Sequence, residues 1–390
     1  MAEAALHTSG GAPVVRRLAL SDFRNYREAR LETDDRLIVL TGPNGAGKTN
    51  LLEALSLLAP GRGLRRARPR DMTRHGAGRW TVTARLDTAF GAVDIGTGLG
   101  EDDRRAVHID GAARRGRDGG VAAVWLTPQM DRLFLDGAGA RRRFLDRLVL
   151  AVDPAHAGRV QAYETAMRQR LALLRAGTSD GDWLAALERS MAERGVAVAA
   201  SRRELVERLR AALASAGGPF PRAQVVLSGA VDAWLEEGPA LKAEDRLVAA
   251  LADGRVRDAE SGRTGAGPHR SDLAVSDAGR GMPAADCSTG EQKALLTALV
   301  LASARLAPQP PLLLLDDVAA FLDEDRRLAL FEEIGRLGCQ AWLTGADAGT
   351  FAPLAGRALN IGIEDAVLTP LPRRTRRTLR MAASPPPERP

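Results

Sequence analysis

The spacing of apolar residues changes several times along the chain, and each spacing predicts a different kind of element. Residues 14–31 read as a hairpin-like β segment. The continuous apolar run at residues 37–40 predicts a buried strand, and residues 50–55 have helical composition. Apolar and polar residues alternate over residues 80–110, with glycine-rich turns between, which predicts an antiparallel sheet beside that strand and helix.

A helical pattern follows from residue 141 to about residue 251, where apolar residues recur at spacings of three and four. We expect one helix from Phe144, a second from Trp183 and a third around Leu205. Breaks are predicted at Gly177 and at residues 217–219. The result is a helical lobe of about 110 residues, too broken to be one long coiled coil.

An α/β pattern lies on both sides of this lobe. Apolar runs predict strands at residues 121–126, 273–275, 311–315 and 340–343, and residues 287–307 read as a polar turn followed by a helix. With 390 residues, 45% of them hydrophobic, the chain has room for two domains or for one large domain with an insertion.

Composition limits the class of protein. The net charge of +6 and the pI of about 10.0 favour polyanionic partners. Two cysteines, Cys287 and Cys339, form no disulfide or metal framework and fit a reducing compartment. Residues 1–13 lack the pattern of a signal peptide, and the longest uncharged apolar run, residues 294–304, is too short to span a membrane. We therefore expect a cytoplasmic protein without a membrane partner.

Residues 42–49, Gly-Pro-Asn-Gly-Ala-Gly-Lys-Thr, separate the strand at 37–40 from the helix at 50–55. Strand, glycine loop and helix in this order form a phosphate-binding loop, because the glycines let backbone N–H groups turn towards phosphate oxygens. Lys48 would reach the β- and γ-phosphates, and the Thr49 hydroxyl would bind Mg²⁺. The residues predicted to bind ATP are Gly42, Pro43, Asn44, Gly45, Ala46, Gly47, Lys48, Thr49 and Asn50.

The alternative is a chance match in a glycine-rich chain. Against it, only three of the 55 basic residues are lysines, and one of them occupies the loop position. A compact ammonium suits a phosphate cradle better than the planar guanidinium that this chain otherwise uses.

Residues 312–317 are the expected complement, since an apolar run delivers Asp316 and Asp317 to the end of a strand. Asp316 would hold Mg²⁺, and Asp317 would polarise the attacking water as the catalytic carboxylate, together with Lys48. The alternative is a strand that merely ends in capping acids. Upstream, Ser288, Gly290 and Gln292 lie at the start of a predicted helix, whose N-terminus suits an anion such as a γ-phosphate.

In chain order these motifs resemble those of ABC-type ATPases: Walker A at residues 42–49, Q-loop at Gln129, signature at 288–292, Walker B at 316–317 and D-loop at 322–323. A head divided by a helical insertion resembles the SMC-like branch. Within that branch, the RecF family of bacterial DNA replication and repair proteins is the most similar. The motifs that carry this resemblance are residues 22–26, 61–65, 141–146, 267–270 and 288–293.

The resemblance implies an α/β fold: a P-loop NTPase head of the ABC type, with a mixed sheet, a flanking antiparallel β subdomain and an inserted α-helical lobe. The corresponding divisions are a flexible tail (1–13), the first part of the head (14–140), the helical lobe (141–260), the second part of the head (261–368) and a basic, proline-rich tail (369–390).

The resemblance also implies a function. ATP and Mg²⁺ would drive formation of a homodimer in which Ser288 and Gly290 of one subunit cap the γ-phosphate held by Lys48 of the other. Gln129 would contact Mg²⁺ and the γ-phosphate, and Asp323 would communicate across the dimer. The dimer would bind single-strand/double-strand junctions or gaps in DNA and assist RecA loading with RecO and RecR. Asp317 replaces the glutamate of stronger ATPases, so we expect slow hydrolysis that serves as a switch.

The candidate DNA contacts are arginines in these motifs and next to them. They are Arg62, Arg65, Arg66, Arg141, Arg142, Arg143 and Arg270. Contacts to phosphates would give strong salt dependence and little sequence preference. The alternatives are a solvated loop for the residues between 62 and 79, and a helix start held by ion pairs for residues 141–143. Sequence alone does not separate these interpretations.

Other classes of ATPase fit less well. A transporter ATPase subunit is disfavoured by the long helical lobe and by the arginine-rich motifs. An SMC-like tether is disfavoured because the chain has no long heptad arm. The sequence contains no apparent cluster of carboxylates and histidines for a nuclease with an ABC head.

Overall fold

The computed structural model describes residues 11–114, 120–177, 180–215 and 218–372. In chain order the strands are β1 (Val14–Phe23), β2 (Tyr26–Glu32), β3 (Leu37–Thr41), β4 (Thr81–Thr88), β5 (Gly91–Leu99), β6 (Arg105–Ile109), β7 (Ala112–Arg114), β8 (Ala123–Leu126), β9 (Ala223–Ser228), β10 (Asp272–Asp277), β11 (Met282–Pro283), β12 (Leu312–Leu315), β13 (Ala341–Gly345), β14 (Leu359–Glu364) and β15 (Val367–Pro370). The α-helices are α1 (Lys48–Ser56), α2 (Ala138–Val152), α3 (His156–Arg175), α4 (Gly181–Ala214), α5 (Ala230–Glu237), α6 (Ala240–Asp253), α7 (Arg255–Ser261), α8 (Thr289–Leu306) and α9 (Glu324–Leu337).

The chain divides into two compact units, Met1–Pro128 together with Gln309–Pro390, and Gln129–Pro308. The predicted boundaries at residues 141 and 260 fall inside the second unit, which also contains α8 and β10. The predicted domain divisions therefore remain predictions. Most of each predicted tail, residues 1–10 and 373–390, lies outside the described residues.

A six-stranded mixed sheet forms the centre of the first unit, with strand order β15-β14-β3-β13-β12-β8. All neighbours are parallel except β14 and β15. All four leucines of β12 are buried, as expected for a strand covered on both faces. The strands predicted at residues 37–40, 121–126, 311–315 and 340–343 are confirmed, and parallel pairing brings the carboxyl ends of β3 and β12 to the same edge of the sheet.

A second, antiparallel sheet in the same unit has the order β2-β1-β4-β5-β6-β7. Exposed and buried residues alternate along β4, where Val82, Ala84 and Leu86 face the core. The antiparallel sheet predicted over residues 80–110 is confirmed, and so is the β hairpin over residues 14–31.

The second unit is mainly helical, but the predicted division into helices is wrong. The first predicted helix is two, because Pro154 follows the end of α2 and α3 begins at His156. The second and third predicted helices are one continuous helix, the 34-residue α4. Gly195 lies in its interior, at a position where a Cβ atom would come within 3.0 Å of the Tyr163 ring. The glycine allows close packing of α4 against α3.

The lobe also contains a strand that the periodicity did not predict. Residues 223–228 form β9, which pairs antiparallel with β10 in a three-stranded sheet of order β11-β10-β9. Six residues carry too short an alternation to stand out beside helical segments, and the partner strand lies more than 40 residues further along the chain. Among the described residues, no helix is long and apolar enough to cross a membrane.

Candidate nucleotide-binding site

The loop at residues 42–49 connects β3 to α1. Gly42, Gly45 and Gly47 have φ angles of 151°, 85° and 118°, which residues with a side chain rarely adopt. A Cβ atom on Gly42 would lie 2.0 Å from the carbonyl oxygen of Ile363, and one on Gly47 would lie 2.6 Å from the Tyr26 hydroxyl. Two of these glycines are therefore required both by the backbone conformation and by close neighbours.

The Lys48 ammonium lies inside the loop at residues 42–49. Its Nζ donates hydrogen bonds to the carbonyl oxygens of Gly42, at 2.7 Å, and Pro43, at 2.9 Å. Burial lowers the pKa of Lys48, and the nearby carboxylates of Asp317 and Asp316 oppose this shift. The loop thus positions a buried cation beside two carboxylates at the carboxyl edge of the sheet.

A hydrogen-bond network joins the two predicted motifs. The Thr49 hydroxyl on α1 lies 2.9 Å from both carboxylate oxygens of Asp316, which follows β12. The Thr344 hydroxyl, on β13, donates to Asp316 Oδ1 at 2.8 Å and accepts from the backbone N–H of Asp317 at 2.9 Å. Thr344 is a member of the site that sequence reasoning did not assign to it. Its contact with Asp316 does not follow from a local motif, because only strand pairing brings β13 beside β12.

This arrangement fits a nucleotide with Mg²⁺. The ion usually retains several waters and takes one or two carboxylates together with substrate phosphates. The adjoining oxygens of Thr49 and Asp316 meet that need. No group of three histidine, cysteine, aspartate or glutamate side chains suited to a metal occurs in the part of the chain that the structure describes, and a Mg²⁺ shared with phosphates does not require one.

The β1–β2 hairpin makes hydrogen bonds to the backbone of the loop. The Tyr26 hydroxyl donates to the carbonyl of Gly47 at 3.0 Å, and the Asn25 amide donates to that of Ala46 at 3.1 Å. Glu53 of α1 is 1% exposed and accepts from the guanidinium groups of Arg24 and Arg65. The sequence analysis gave Glu53 no role. Its two partners, Arg24 and Arg65, lie in the motifs at residues 22–26 and 61–65, which both contributed to the family resemblance.

The Q-loop and signature residues belong to the second unit. Gln129 lies on a short 3₁₀-helix, Pro128–Arg132. Ser288 caps α8, and Glu291 accepts hydrogen bonds from both the backbone N–H and the hydroxyl of Ser288, each at 2.9 Å. Gln292 is buried and donates to the carbonyl of Cys287. The predicted contacts of Gln129, Ser288, Gly290 and Gln292 with nucleotide remain predictions.

The candidate DNA contacts separate into two groups. Arg62, Arg66, Arg143 and Arg270 are exposed. Arg65, Arg141 and Arg142 are less exposed. Arg65 pairs with Glu53, Arg141 makes a bidentate pair with Asp272, and Arg142 donates to the carbonyl of Ser271. For Arg141, the alternative of an ion-paired helix start is what the structure contains.

Comparison with known proteins establishes the family. The model described as the RecF/RecN/SMC N terminal domain matches residues 14–355. A protein of Mesorhizobium japonicum named DNA replication and repair protein RecF is 49% identical over 370 residues, covering 91% of this chain and 97% of the relative. A Rhizobium etli protein of the same name is 49% identical over 362 residues, covering 90% and 96%. The chain belongs to the RecF family.

The fold agrees with that family. A solved structure described as the recombination mediator protein RecF-ATPrS in the RecFOR pathway has a TM-score of 0.81 with 21% identity, and covers 94% of this chain and 100% of that one. The prediction of an ABC-type P-loop head with a mixed sheet, an antiparallel sheet and helical regions is confirmed.

Two glycines of the loop provide a matched test of its packing in this RecF-family chain. Both Gly45→Ala and Gly47→Ala place a side chain at positive φ, which costs about 1–2 kcal/mol. Only at Gly47 would the new Cβ also meet Tyr26 and Asn25, whereas nothing lies within 4 Å of one at Gly45. We expect Gly47→Ala to lower the free energy of unfolding by about 2 kcal/mol more than Gly45→Ala, measured by urea denaturation without nucleotide. Equal losses would show that the Tyr26 contact does not constrain the loop.

Proposed function

We propose that this chain is an ATP-dependent DNA-binding protein of replication and recombinational repair. ATP binding drives two copies to associate on gapped DNA or on single-strand/double-strand junctions, and slow hydrolysis releases them. The observation that carries the proposal is the contact of Thr49 with Asp316, which brings the phosphate loop and the carboxylate strand into one site. Membership of the RecF family supports the remaining parts of the proposal, in which RecO and RecR are partners and RecA loading is the outcome.

Each side chain of the site has a distinct proposed part in ATP binding and hydrolysis. Lys48 exchanges its bonds to loop carbonyls for the β- and γ-phosphates, while Thr49 and Asp316 are the residues that would hold Mg²⁺. When bound, Mg²⁺ neutralises charge on the phosphates. Asp317, half-buried and fixed through its N–H to Thr344, orients and polarises the attacking water. A short carboxylate reaches the water less well than glutamate, so hydrolysis is slow.

Dimerisation depends on Ser288 and Gly290 of the opposite subunit. The N-terminus of α8 carries a partial positive charge and free backbone donors that suit a γ-phosphate. A Cβ atom on Gly290 would meet nothing within 4 Å, so a phosphate can approach its backbone closely. The Ser288 hydroxyl must leave Glu291 to donate to the phosphate. Gln129 would contact Mg²⁺ and the γ-phosphate bound to its own subunit.

Sedimentation with gapped duplex DNA tests the proposal. Purified protein should be monomeric alone, dimeric with ATP and bound to the DNA as a dimer when both are present. Protein that remains monomeric with ATP and does not sediment with DNA would contradict the proposed function. Association that is equally strong with and without ATP would remove the nucleotide from the mechanism.

Replacing Arg62 and replacing Arg65 should have different effects on DNA binding and on stability. We expect Arg62→Ala to weaken binding to gapped DNA and to reduce the slope of log affinity against log salt by about 1, because one phosphate contact is lost. Its stability should be unchanged. Arg65→Ala should instead lower the free energy of unfolding by about 2 kcal/mol or more, because it removes one of two guanidinium groups from buried Glu53.

The exposed residue Arg27 of β2, outside the candidate set, provides the control. Arg27→Ala should alter neither the salt slope nor the stability. If Arg62→Ala leaves the salt slope at its wild-type value, Arg62 is not a DNA contact.

A further inference from the structure

An ion pair in the second unit links the segment that carries Gln129 to the helix that carries the signature. The Lys293 ammonium on α8 lies 3.0 Å from the Asp131 carboxylate on the 3₁₀-helix Pro128–Arg132. Both side chains are mostly buried, with 19% and 31% of their surfaces exposed. Lys293 is also one of the three lysines of a chain that otherwise uses arginine.

Each partner is close in sequence to a residue with a proposed role at the nucleotide. Asp131 lies two residues after Gln129 on the same short helix. Lys293 follows Ser288 by five residues, within the first two turns of α8. The α-helix holds the first turn and Lys293 together through its backbone hydrogen bonds. The Asp131–Lys293 contact can therefore transmit a displacement of either segment to the other.

Other contacts give both segments firm attachments. Arg147 on α2 lies 3.4 Å from the sulfur of Met130, the residue between Gln129 and Asp131. At the start of α8, Glu291 closes a capping box with Ser288 and also pairs with Arg280. Each segment is therefore attached to a neighbouring part of the second unit as well as to the other segment through the ion pair.

We propose that the Asp131–Lys293 ion pair couples the Q-loop segment to the signature helix, and that both residues are positioning residues for ATP-driven dimerisation. This inference rests on the proposed function, in which Gln129 contacts a subunit's own nucleotide and Ser288 contacts the partner's. Occupation of one nucleotide site then sets the position of Ser288 for the other site. ATP-driven association is cooperative as a result.

The test is an ATP titration of dimer formation by sedimentation, with five variants of the whole chain, the fifth of which combines Lys293→Met with Asp131→Asn. Lys293→Met and Asp131→Asn each remove one charge, and Lys293→Arg retains it. The fourth variant, Asp131→Lys with Lys293→Asp, exchanges the two charges. Lys242→Met, at an exposed position of α6, is the matched control for Lys293→Met. ATP affinity of the monomer is measured separately at protein concentrations too low for dimers.

We expect each neutral variant to raise the ATP concentration for half-maximal dimerisation about tenfold and to bring the Hill coefficient to about 1. Monomer affinity for ATP should not change, since neither residue contacts nucleotide. Combining the two neutral changes should add nothing, because both remove the same interaction. Lys293→Arg and the charge exchange should restore cooperativity, which a general loss of packing would not allow.

The outcomes separate this inference from the function on which it rests. Wild-type protein that dimerises with ATP, together with neutral variants that titrate like it, would overturn the coupling alone. Additive losses in the combined variant, without recovery on charge exchange, would also overturn it. Wild-type protein that never dimerises with ATP would overturn the proposed function and the coupling together.

Discussion

Replacing Lys48 with methionine should abolish ATP-dependent dimerisation and lower ATP hydrolysis at least ~100-fold. The Lys48 ammonium is the only lysine cation in the phosphate loop and lies within hydrogen-bond distance of its carbonyls. Methionine has nearly the same length but no charge, so the loop keeps its volume and loses its attraction for the β- and γ-phosphates. The measurements are sedimentation with ATP and release of labelled phosphate.

The free energy of unfolding of Lys48→Met shows whether the variant has lost only the charge or also the conformation of the loop. Because Lys48 is largely buried and burial already disfavours its charge, its neutral replacement should change the free energy of unfolding by no more than about 1 kcal/mol. Lys242→Met makes the same chemical change at an exposed position and should leave both assays at wild-type values. If Lys48→Met still dimerises with ATP, the loop at residues 42–49 is not the site that drives association.

Replacing Asp317 with asparagine should lower ATP hydrolysis about 100-fold while ATP-dependent dimers still form. Asp317 has a φ angle of 56°, in the left-handed region. Asparagine adopts that conformation as readily as aspartate, so the backbone should not move. The amide keeps the shape of the side chain but does not polarise water. Because wild-type turnover is expected to be slow, single-turnover assays with labelled ATP are the appropriate measurement.

The neighbouring helix α9 offers a control for this substitution. Asp325 is exposed in the first turn of α9, and Asp325→Asn should hydrolyse ATP at the wild-type rate. Asp317→Asn protein that turns over ATP as fast as the wild type would remove Asp317 from the proposed mechanism. Loss of dimers together with hydrolysis would instead mean that the carboxylate is needed to bind nucleotide.

The conformations of the main parts of the candidate nucleotide site could be predicted from sequence because each is a local pattern. An apolar strand, a glycine loop and a helix specify the conformation of residues 42–49 within a single stretch of chain. The glycine φ angles of the loop follow the same local requirement. Asp316 and Asp317 were predicted in the same way, from a buried strand that ends in two carboxylates.

Helix boundaries in the second unit were less predictable, because packing decided them. Gly195, in the interior of the continuous helix α4, lets that helix pack closely against Tyr163 of α3, a contact that no window of sequence contains. Strand β9 exists because β10 pairs with it. In both cases a distant segment overrides a weak local preference.

The chemistry of the arginines illustrates the same division. The sequence by itself determined a glycine loop, a strand that ends in two carboxylates, a helix that begins near Ser288 and an excess of arginine, since these are properties of neighbouring residues and of composition. Only the tertiary structure decided which arginines are committed: Arg65 to buried Glu53, and Arg141 to Asp272, 131 residues away. A guanidinium pairs with whichever carboxylate the fold brings to it, and desolvation makes that choice strong when the carboxylate is buried. The spacing of residues along the chain carries no record of that partner.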